Sequence, residues 1–376
     1  MRSAEFIVIG GGIAGLSAAA RLARHGETVV LEAEAAPGIH SSGRSVAFSH
    51  FGLGDALVRG LTALSLDELR APPSDDRAPP ARVHPALHIA KAAEKAALDE
   101  LEAVHREFAD DFERLDGEQA RALVPVLDTG PDGVTDAILH RAALKLDSDA
   151  MLQGHVRDLR AAGGRLICGA PVQVLRRERG RWIADTPGES WSARVVVNAA
   201  GAWADGIARM AGVAPIGLAP LRRTVIQFAA PDGLDVAHWP FTKTVGEGFY
   251  LLPEGNARLL ASAMDEGASE PCDAQAEEID VATAAHRVEQ ATTLTIRHIE
   301  HRWAGLRTFA PDCRPVAGFD PRAEGFFWLA GQGGFGLQTS PAMAQAVEAL
   351  VTGLDWSEEF ANFGITADLL APDRLR

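Results

Sequence analysis

The stretch from Phe6 to Glu34, FIVIGGGIAGLSAAARLARHGETVVLEAE, constrains the fold more than any other part of the chain. Phe6 to Ile9 form a short apolar run suited to a buried parallel strand. Gly10, Gly12 and Gly15 follow in G-x-G-x-x-G spacing at the entry of an alanine-rich helix. The first glycine allows a tight turn, the second lets backbone approach a pyrophosphate, and the third lets the helix lie close to the strand. Ala19 continues that close packing one turn on. The helix N-terminus favours negative charge through its free N–H groups and its dipole, so no lysine is needed there. His25 and Gly26 close the helix, Thr28 to Leu31 form a second strand, and Glu32 stands at its end, about 20 residues past the first glycine. A carboxylate at that place accepts from ribose hydroxyls and repels a 2′-phosphate. Strand, turn, helix, second strand and acid in register identify a dinucleotide site that disfavours NADP.

The chain has 376 residues, enough for two domains and a large core, and 47% of them are apolar. A formal net charge of −15 argues against nucleic acid and anionic membrane surfaces as partners. Cys168, Cys272 and Cys313 lie far apart without C-x-x-C spacing, which suggests neither a disulfide framework nor a cysteine metal site and suits a cytoplasmic setting. No apolar run approaches the ~18 residues of a membrane span.

Beyond the second strand, Pro37 to Ser45 (PGIHSSGRS) form a small, polar loop beside the bound cofactor, where Ser41, Ser42, Arg44 and Ser45 are candidate donors to phosphate or flavin oxygens. Gly52 and Gly54 in Phe48 to Asp55 are candidate hinges. Ala71 to Pro85, with five prolines, is expected to be irregular, and Lys91 to Phe108 an amphipathic helix. Strand-like runs return at Gly163 to Cys168, Pro171 to Leu175 and Arg194 to Val197, the last entering NAAGAWADGIARMAG. Alternating segments between residues 216 and 300, such as Thr224 to Phe228 and Phe249 to Leu252, suit an antiparallel sheet. Phe326 to Ala330 form another strand, followed from Gly331 by GQGGFGLQTSPAMAQAVEAL, a second glycine-rich turn that runs into a helix. Two such turns imply a long cofactor. A helix N-terminus facing a flavin pyrimidine ring would stabilise the negative charge that builds there on reduction.

The N-terminal fingerprint, PGIHSSGRS, VVVNAAGAW, WAGLRTFAPDCRPVAG and GQGGFGLQTS together resemble the D-amino-acid oxidase superfamily of FAD proteins over nearly the whole chain. Within it, GRS at Gly43 to Ser45, LRR at Leu221 to Arg223, FYL at Phe249 to Leu251 and TTLTIR at Thr292 to Arg297 are most similar to bacterial FAD-dependent D-arginine dehydrogenase. The resemblance implies an α/β chain with a Rossmann-like FAD-binding domain (1–47, 145–215 and 308–376). It also implies an α+β substrate domain with a mixed, largely antiparallel sheet (48–144 and 216–307). Noncovalent FAD would lie along Gly10, Gly12, Ala14 and Gly15; Glu32 and Ala33; Ser41, Ser42, Gly43, Arg44 and Ser45; Val172; Ala200, Gly201 and Trp203; and Gly331, Gly333, Gly334, Gly336, Leu337 and Gln338.

The implied reaction is oxidation of a D-amino acid to the imino acid, which water hydrolyses to the 2-oxo acid and ammonia, with oxygen or a quinone as acceptor. Arg222 and Arg307 match the arginines that grip the substrate carboxylate, and Tyr250, the only tyrosine, matches the residue that hydrogen-bonds it. Gly333 and Gly334 match the backbone that receives the substrate amine. Phe48, Leu53 and Ala86 stand where the arginine dehydrogenase pattern has a histidine, a tyrosine and a glutamate. Losing those polar groups leaves a cationic side chain unpaired, so an apolar or uncharged D-amino acid is expected in preference to D-arginine.

Plainer readings stand beside these. Arg222 and Arg223 are adjacent on an expected strand, so only one of them faces the cofactor, and the choice of Arg222 follows the motif. Either arginine of the expected clamp could belong to a buried ion pair. His298, Glu300 and His301 are better explained as exposed polar residues than as a metal site. A sarcosine-type secondary-amine oxidase, a 2-hydroxy-acid dehydrogenase and a flavin-bearing assembly protein without turnover are the alternatives to an amino-acid dehydrogenase.

Overall fold

A computed structural model describes residues 1–72, 78–109 and 111–376. The apolar runs of the fingerprint sit at the centre of a six-stranded sheet. Its order is Arg165–Ile167, Thr28–Leu31, Phe6–Ile9, Val195–Asn198, Phe326–Ala330 and Val316–Phe319. All neighbours run parallel except the last pair. Both faces are covered, which explains why Phe6–Ile9, Thr28–Leu31 and Val195–Asn198 are continuously apolar or small rather than alternating. The helices Ile13–Leu22, Ser148–Ala161 and Gly336–Thr352 supply Leu16, Leu152 and Val347 to one side of this sheet. A small four-stranded sheet, with Trp182 and Trp191, packs on the other.

The glycines act as their spacing requires. Gly10 has φ +109°, and a Cβ there would lie 2.5 Å from the carbonyl oxygen of Ala199. At Gly15 a Cβ would come within 2.0 Å of the carbonyl oxygen of Gly10, so helix and strand approach too closely for any side chain.

The second layer is a nine-stranded sheet in which Ala219–Ala229 pairs with both Arg258–Ser262 and His301–Phe309. The pairings are antiparallel except that of Phe241–Thr244 with Ala86–Lys91. Its core, around Leu87, Phe228, Phe249, Leu251 and Val288, is separate from that of the parallel sheet. The protein is thus an α/β chain with a doubly covered parallel sheet and a mixed, largely antiparallel second sheet.

Several local expectations are corrected. The segment 71–85 contains a short strand, Ala81–Val83, paired with Leu144–Leu146; its residues 73–77 lie outside the described residues. The helix expected from Lys91 begins at Lys95 after a 3-10 turn, Ala92–Glu94. Helix Ala56–Arg70, capped by Asp55 on the Val58 N–H, buries Leu57, Leu61 and Leu69 in the core of the parallel sheet. This helix, which follows residue 48, packs against helix Gly336–Thr352.

Candidate active site

The carboxyl ends of the central parallel strands and the two glycine turns border one elongated cavity of about 580 Å³. Gly10, Gly12 and Ala14 line it at the N-terminus of helix Ile13–Leu22, and Gly331, Gly333, Gly334, Gly336 and Leu337 at the N-terminus of helix Gly336–Thr352. Glu32 and Ala33 mark the end beside Val172, while Ser41, Ser42 and Ser45 flank the middle, and Ala200, Gly201 and Trp203 close another side. Glu32 is already oriented: its Oε2 accepts the Gly11 N–H at 2.5 Å and its Oε1 accepts the Glu34 N–H at 2.8 Å. The side-chain nitrogen of Gln332, which lines the cavity, is buried without a hydrogen-bond partner among the described residues. Two helix N-termini, a glycine cradle, an anchored acid and an orphaned donor fit a long dinucleotide.

Four residues expected at the cofactor do not line this cavity. Gly15 packs against Gly10 instead. Gly43 closes the loop by donating its N–H to the Gly38 carbonyl at 2.8 Å. The Arg44 guanidinium donates to the carbonyls of Ala274 and Ala304 at 2.9 and 3.1 Å and pairs with Asp273, so it ties the loop to the second sheet and is not free for phosphate. Gln338 faces the neighbouring cavity, where its amide donates to the Thr62 hydroxyl at 2.7 Å. Ser42 has a task that its composition did not signal: its Oγ accepts the Ile13 N–H at 2.9 Å, satisfying a free donor of the first helix turn.

A second cavity of about 550 Å³ shares Ser45, Gly334 and Leu337 with the first. One face of the nine-stranded sheet forms its floor. Alternation along Ala219–Ala229 puts Arg223 on that face, opposite Gly305, and Arg307 lies two residues further along the partner strand. Arg222, opposite Leu306, takes the other face, where it pairs with Glu277 at 2.7 Å and Asp280 at 3.2 Å. Arg222, expected at the substrate carboxylate, does not line the cavity, and Arg223 is the neighbour that reaches it. Arg223 donates to the Asp265 carbonyl at 2.7 Å and to Glu266 at 3.0 Å.

Arg307, in contrast, has no carboxylate partner among the described residues. Burial and the Arg223 charge bring its pKa down to about 10. Its Nη1 lies where a Cβ on Gly334 would be only 2.6 Å away, so the glycine leaves room for the guanidinium. Tyr250 is buried beside them, and burial pushes its hydroxyl pKa upward.

Phe48 and Leu53 line the second cavity, with Phe48 stacked on Phe241 at 4.4 Å between ring centroids. Gly333 belongs to the first cavity only, and Ala86 lies in the apolar cluster behind Phe48 and Phe241 without reaching the space. Sequence reasoning missed Lys243, His50, Asp265 and Arg287, all of which line the second cavity. Lys243 shares a face with Phe241 and pairs in register with Tyr250, a period-2 signal present in FTKT but undirected without the sheet. His50 accepts the Gly52 N–H on Nδ1 at 3.1 Å and lies 3.2 Å from His88 Nε2, and burial holds both imidazoles neutral with pKa values well below the usual range.

Among the described residues no group of three or more metal-ligating side chains converges, and no helix is long and apolar enough to cross a membrane.

By sequence the chain is 27% identical over 213 residues to glycine oxidase of Geobacillus kaustophilus, an alignment that covers 55% of this chain and only about half, 53%, of that protein. Among solved structures, L-proline dehydrogenase from P. horikoshii shares the fold with a TM-score of 0.83 and 20% identity, covering 99% of this chain and 98% of the other. The Geobacillus kaustophilus glycine oxidase structure matches with a TM-score of 0.77 and 21% identity, over 97% and 99% of the two chains. Residues 5–350 match the model of the family described as FAD dependent oxidoreductase; the chain belongs to that family and its cofactor is FAD, a dinucleotide that the lining of the first cavity fits.

Proposed function

We propose that the protein is an amino-acid dehydrogenase or oxidase that deaminates an α-amino acid, of D configuration, to the 2-oxo acid and ammonia. The observation that carries this reading is Arg307, a guanidinium in the second cavity without a carboxylate partner among the described residues, next to Tyr250 and Arg223 and above Gly334, where the two cavities join. A cation held in such a place without a carboxylate is stabilised by a ligand that brings one, and a planar fork suits a carboxylate in two-point contact.

When bound, FAD supplies a two-electron oxidation, accepting the Cα hydrogen as hydride. The chain's residues then have positioning tasks. Arg307 and Arg223 hold the carboxylate, Tyr250 donates to it, and Gly334, the shared wall, leaves backbone free to receive the amine. Phe48 and Phe241 exclude water from one side. Neutral His50 can take up a proton, but positioning of an unprotonated amine requires no protein base. The imino acid formed by loss of hydride and an N–H proton hydrolyses with water, and oxygen or a quinone removes the electrons.

The D configuration is supported by the likeness at GRS, LRR, FYL and TTLTIR. Lys243 in the cavity agrees with the expectation that D-arginine is disfavoured, because two cations in one closed space repel. Three free thiols suit a cytoplasmic setting.

The test is anaerobic. Purified holoprotein is mixed separately with D-amino acids of apolar, acidic and basic side chain, their L-forms, glycine, sarcosine and 2-hydroxy acids, and bleaching of the flavin band is followed. Bleaching by D-amino acids supports the reading. Bleaching by sarcosine or hydroxy acids alone, or by nothing, overturns it.

A further inference from the structure

Phe48, Leu53, Phe241 and Met264 give the second cavity an apolar side, yet it also carries charges that an apolar substrate would leave uncompensated. Its three acids are committed elsewhere or face water. Asp265 accepts the Thr224 N–H with both oxygens at 3.1 and 2.9 Å, Glu266 pairs with Arg223, and Glu247 is exposed. Of the four cations, Arg223 has Glu266 at 3.0 Å and Asp265 at 3.9 Å, and Arg287 donates to the carbonyls of Gly248 and Ala263 at 3.0 and 2.5 Å. Arg307, Lys243 and Arg287 thus all lack a carboxylate among the described residues, and in its place Arg287 has two carbonyls. The Lys243 ammonium donates to the carbonyl of the next residue, Thr244, at 2.9 Å.

One carboxylate can neutralise one of these cations. Desolvated cations without counter-ions are costly, and that cost is removed by a ligand with two anionic groups. We propose that the substrate is an acidic amino acid, with its α-carboxylate on Arg307, Arg223 and Tyr250 and its second carboxylate on Lys243; this rests on the α-amino-acid reading above. It replaces the sequence expectation of an apolar or uncharged side chain, which took Phe48 and Leu53 as the character of the whole cavity.

Three further features agree. Lys243 pairs in register with Tyr250, so the two donors stand side by side on one face of the sheet. His50, also on the cavity, has its Nδ1 occupied as acceptor of the Gly52 N–H, which leaves its proton on Nε2 as a second donor. Burial and the Arg223 and Arg307 charges bring the Lys243 pKa down to about 8, the direction that an incoming anion reverses. The second carboxylate can sit on the side chain or on the amine nitrogen.

The experiment uses holoprotein, wild type and Lys243→Met, and measures anaerobic flavin reduction by D-aspartate, D-glutamate, N-carboxymethylglycine, D-leucine and glycine. The expected result is that at least one diacid exceeds D-leucine and glycine tenfold or more in kcat/KM. The diacid-to-neutral ratio is expected to fall by about tenfold to a hundredfold in Lys243→Met, as for loss of a charged hydrogen bond, and to return in Lys243→Arg. D-aspartate and D-glutamate against N-carboxymethylglycine separate the two carboxylate positions. Binding gives a readout independent of turnover: calorimetric titration of wild-type holoprotein with glutarate should show at least tenfold tighter binding than with butyrate. Neutral amino acids equal to or better than every diacid, or glutarate no tighter than butyrate, would overturn the proposal and leave the α-amino-acid reading intact. Absence of reduction by any amino acid would overturn both.

Discussion

The adjacent pair Arg222 and Arg223 offers the sharpest check on the site, because one substitution at each should give opposite results. Arg222 lies on the outer face of its strand, with a side chain 15% exposed and two carboxylates, Glu277 and Asp280, within 2.7 and 3.2 Å. Breaking a largely buried ion pair costs more than an exposed one, so Arg222→Met should lower stability by about 1–3 kcal/mol. Its effect on kcat/KM should stay within about threefold, since nothing in the cavity is touched. Arg223 faces the cavity, where on the proposed function it holds the substrate carboxylate beside Arg307, so its substitution should remove a charged contact. Loss of one partner of such a contact costs ~2–4 kcal/mol, which at ~1.4 kcal/mol per decade is about 30-fold to 700-fold in kcat/KM for Arg223→Met. Steady-state kinetics with an artificial acceptor give the numbers, and the ratio of flavin to protein absorbance shows whether FAD is retained. A large loss in Arg222→Met with a small one in Arg223→Met would refute the register argument, and loss of flavin in Arg223→Met would assign that arginine to the cofactor.

Gly334→Ala places a methyl 2.6 Å from Arg307 Nη1 and should raise KM for the amino acid by about tenfold or more while flavin stays bound, because the guanidinium must move and the helix N-terminus need not. Affinity for glutarate should fall as pH rises through about 8, where Lys243 loses its proton in the free enzyme; Arg307, brought down to about 10, keeps its charge over most of that range, and His50 and His88 stay neutral, so an unchanged affinity between pH 7 and 9 would count against Lys243 as the second anchor. His140 is buried beside His105 and Phe51 with its pKa brought down to about 4 by burial, against 6.5 for an ordinary imidazole. The unfolded chain therefore takes up a proton between pH 6.5 and 4 that the folded chain refuses, and folding stability should fall by ~3 kcal/mol over that window through this residue alone. Urea titrations at both pH values should show a correspondingly shallower loss in His140→Phe.

What the sequence could reveal was set by how local the cause is. Gly10, Gly12 and Gly15 are legible because a turn, a close approach and a helix–strand contact all act within a few residues of one another. Tyr250 and Arg307 are marked by the distinctive motifs around them, and both line the second cavity. The choice between Arg222 and Arg223 was not legible: both satisfy period 2, and the phase that counts is fixed by pairing with Gly305 and Leu306 on a distant strand. Lys243 was hidden in the same way, since FTKT tells that Phe241 and Lys243 share a face and leaves open whether that face looks into a cavity or into solvent. His50, His88, His105 and His140 come from four separate segments, and their ring contacts exist only once the nine-stranded sheet and helix Lys95–Phe108 are assembled. The cofactor half of the site is thus written locally and the substrate half in strand register. If Lys243 is the second anchor proposed above, side-chain preference follows the sheet, and the substitutions that alter it should be sought at Lys243 before the apolar positions Phe48 and Leu53.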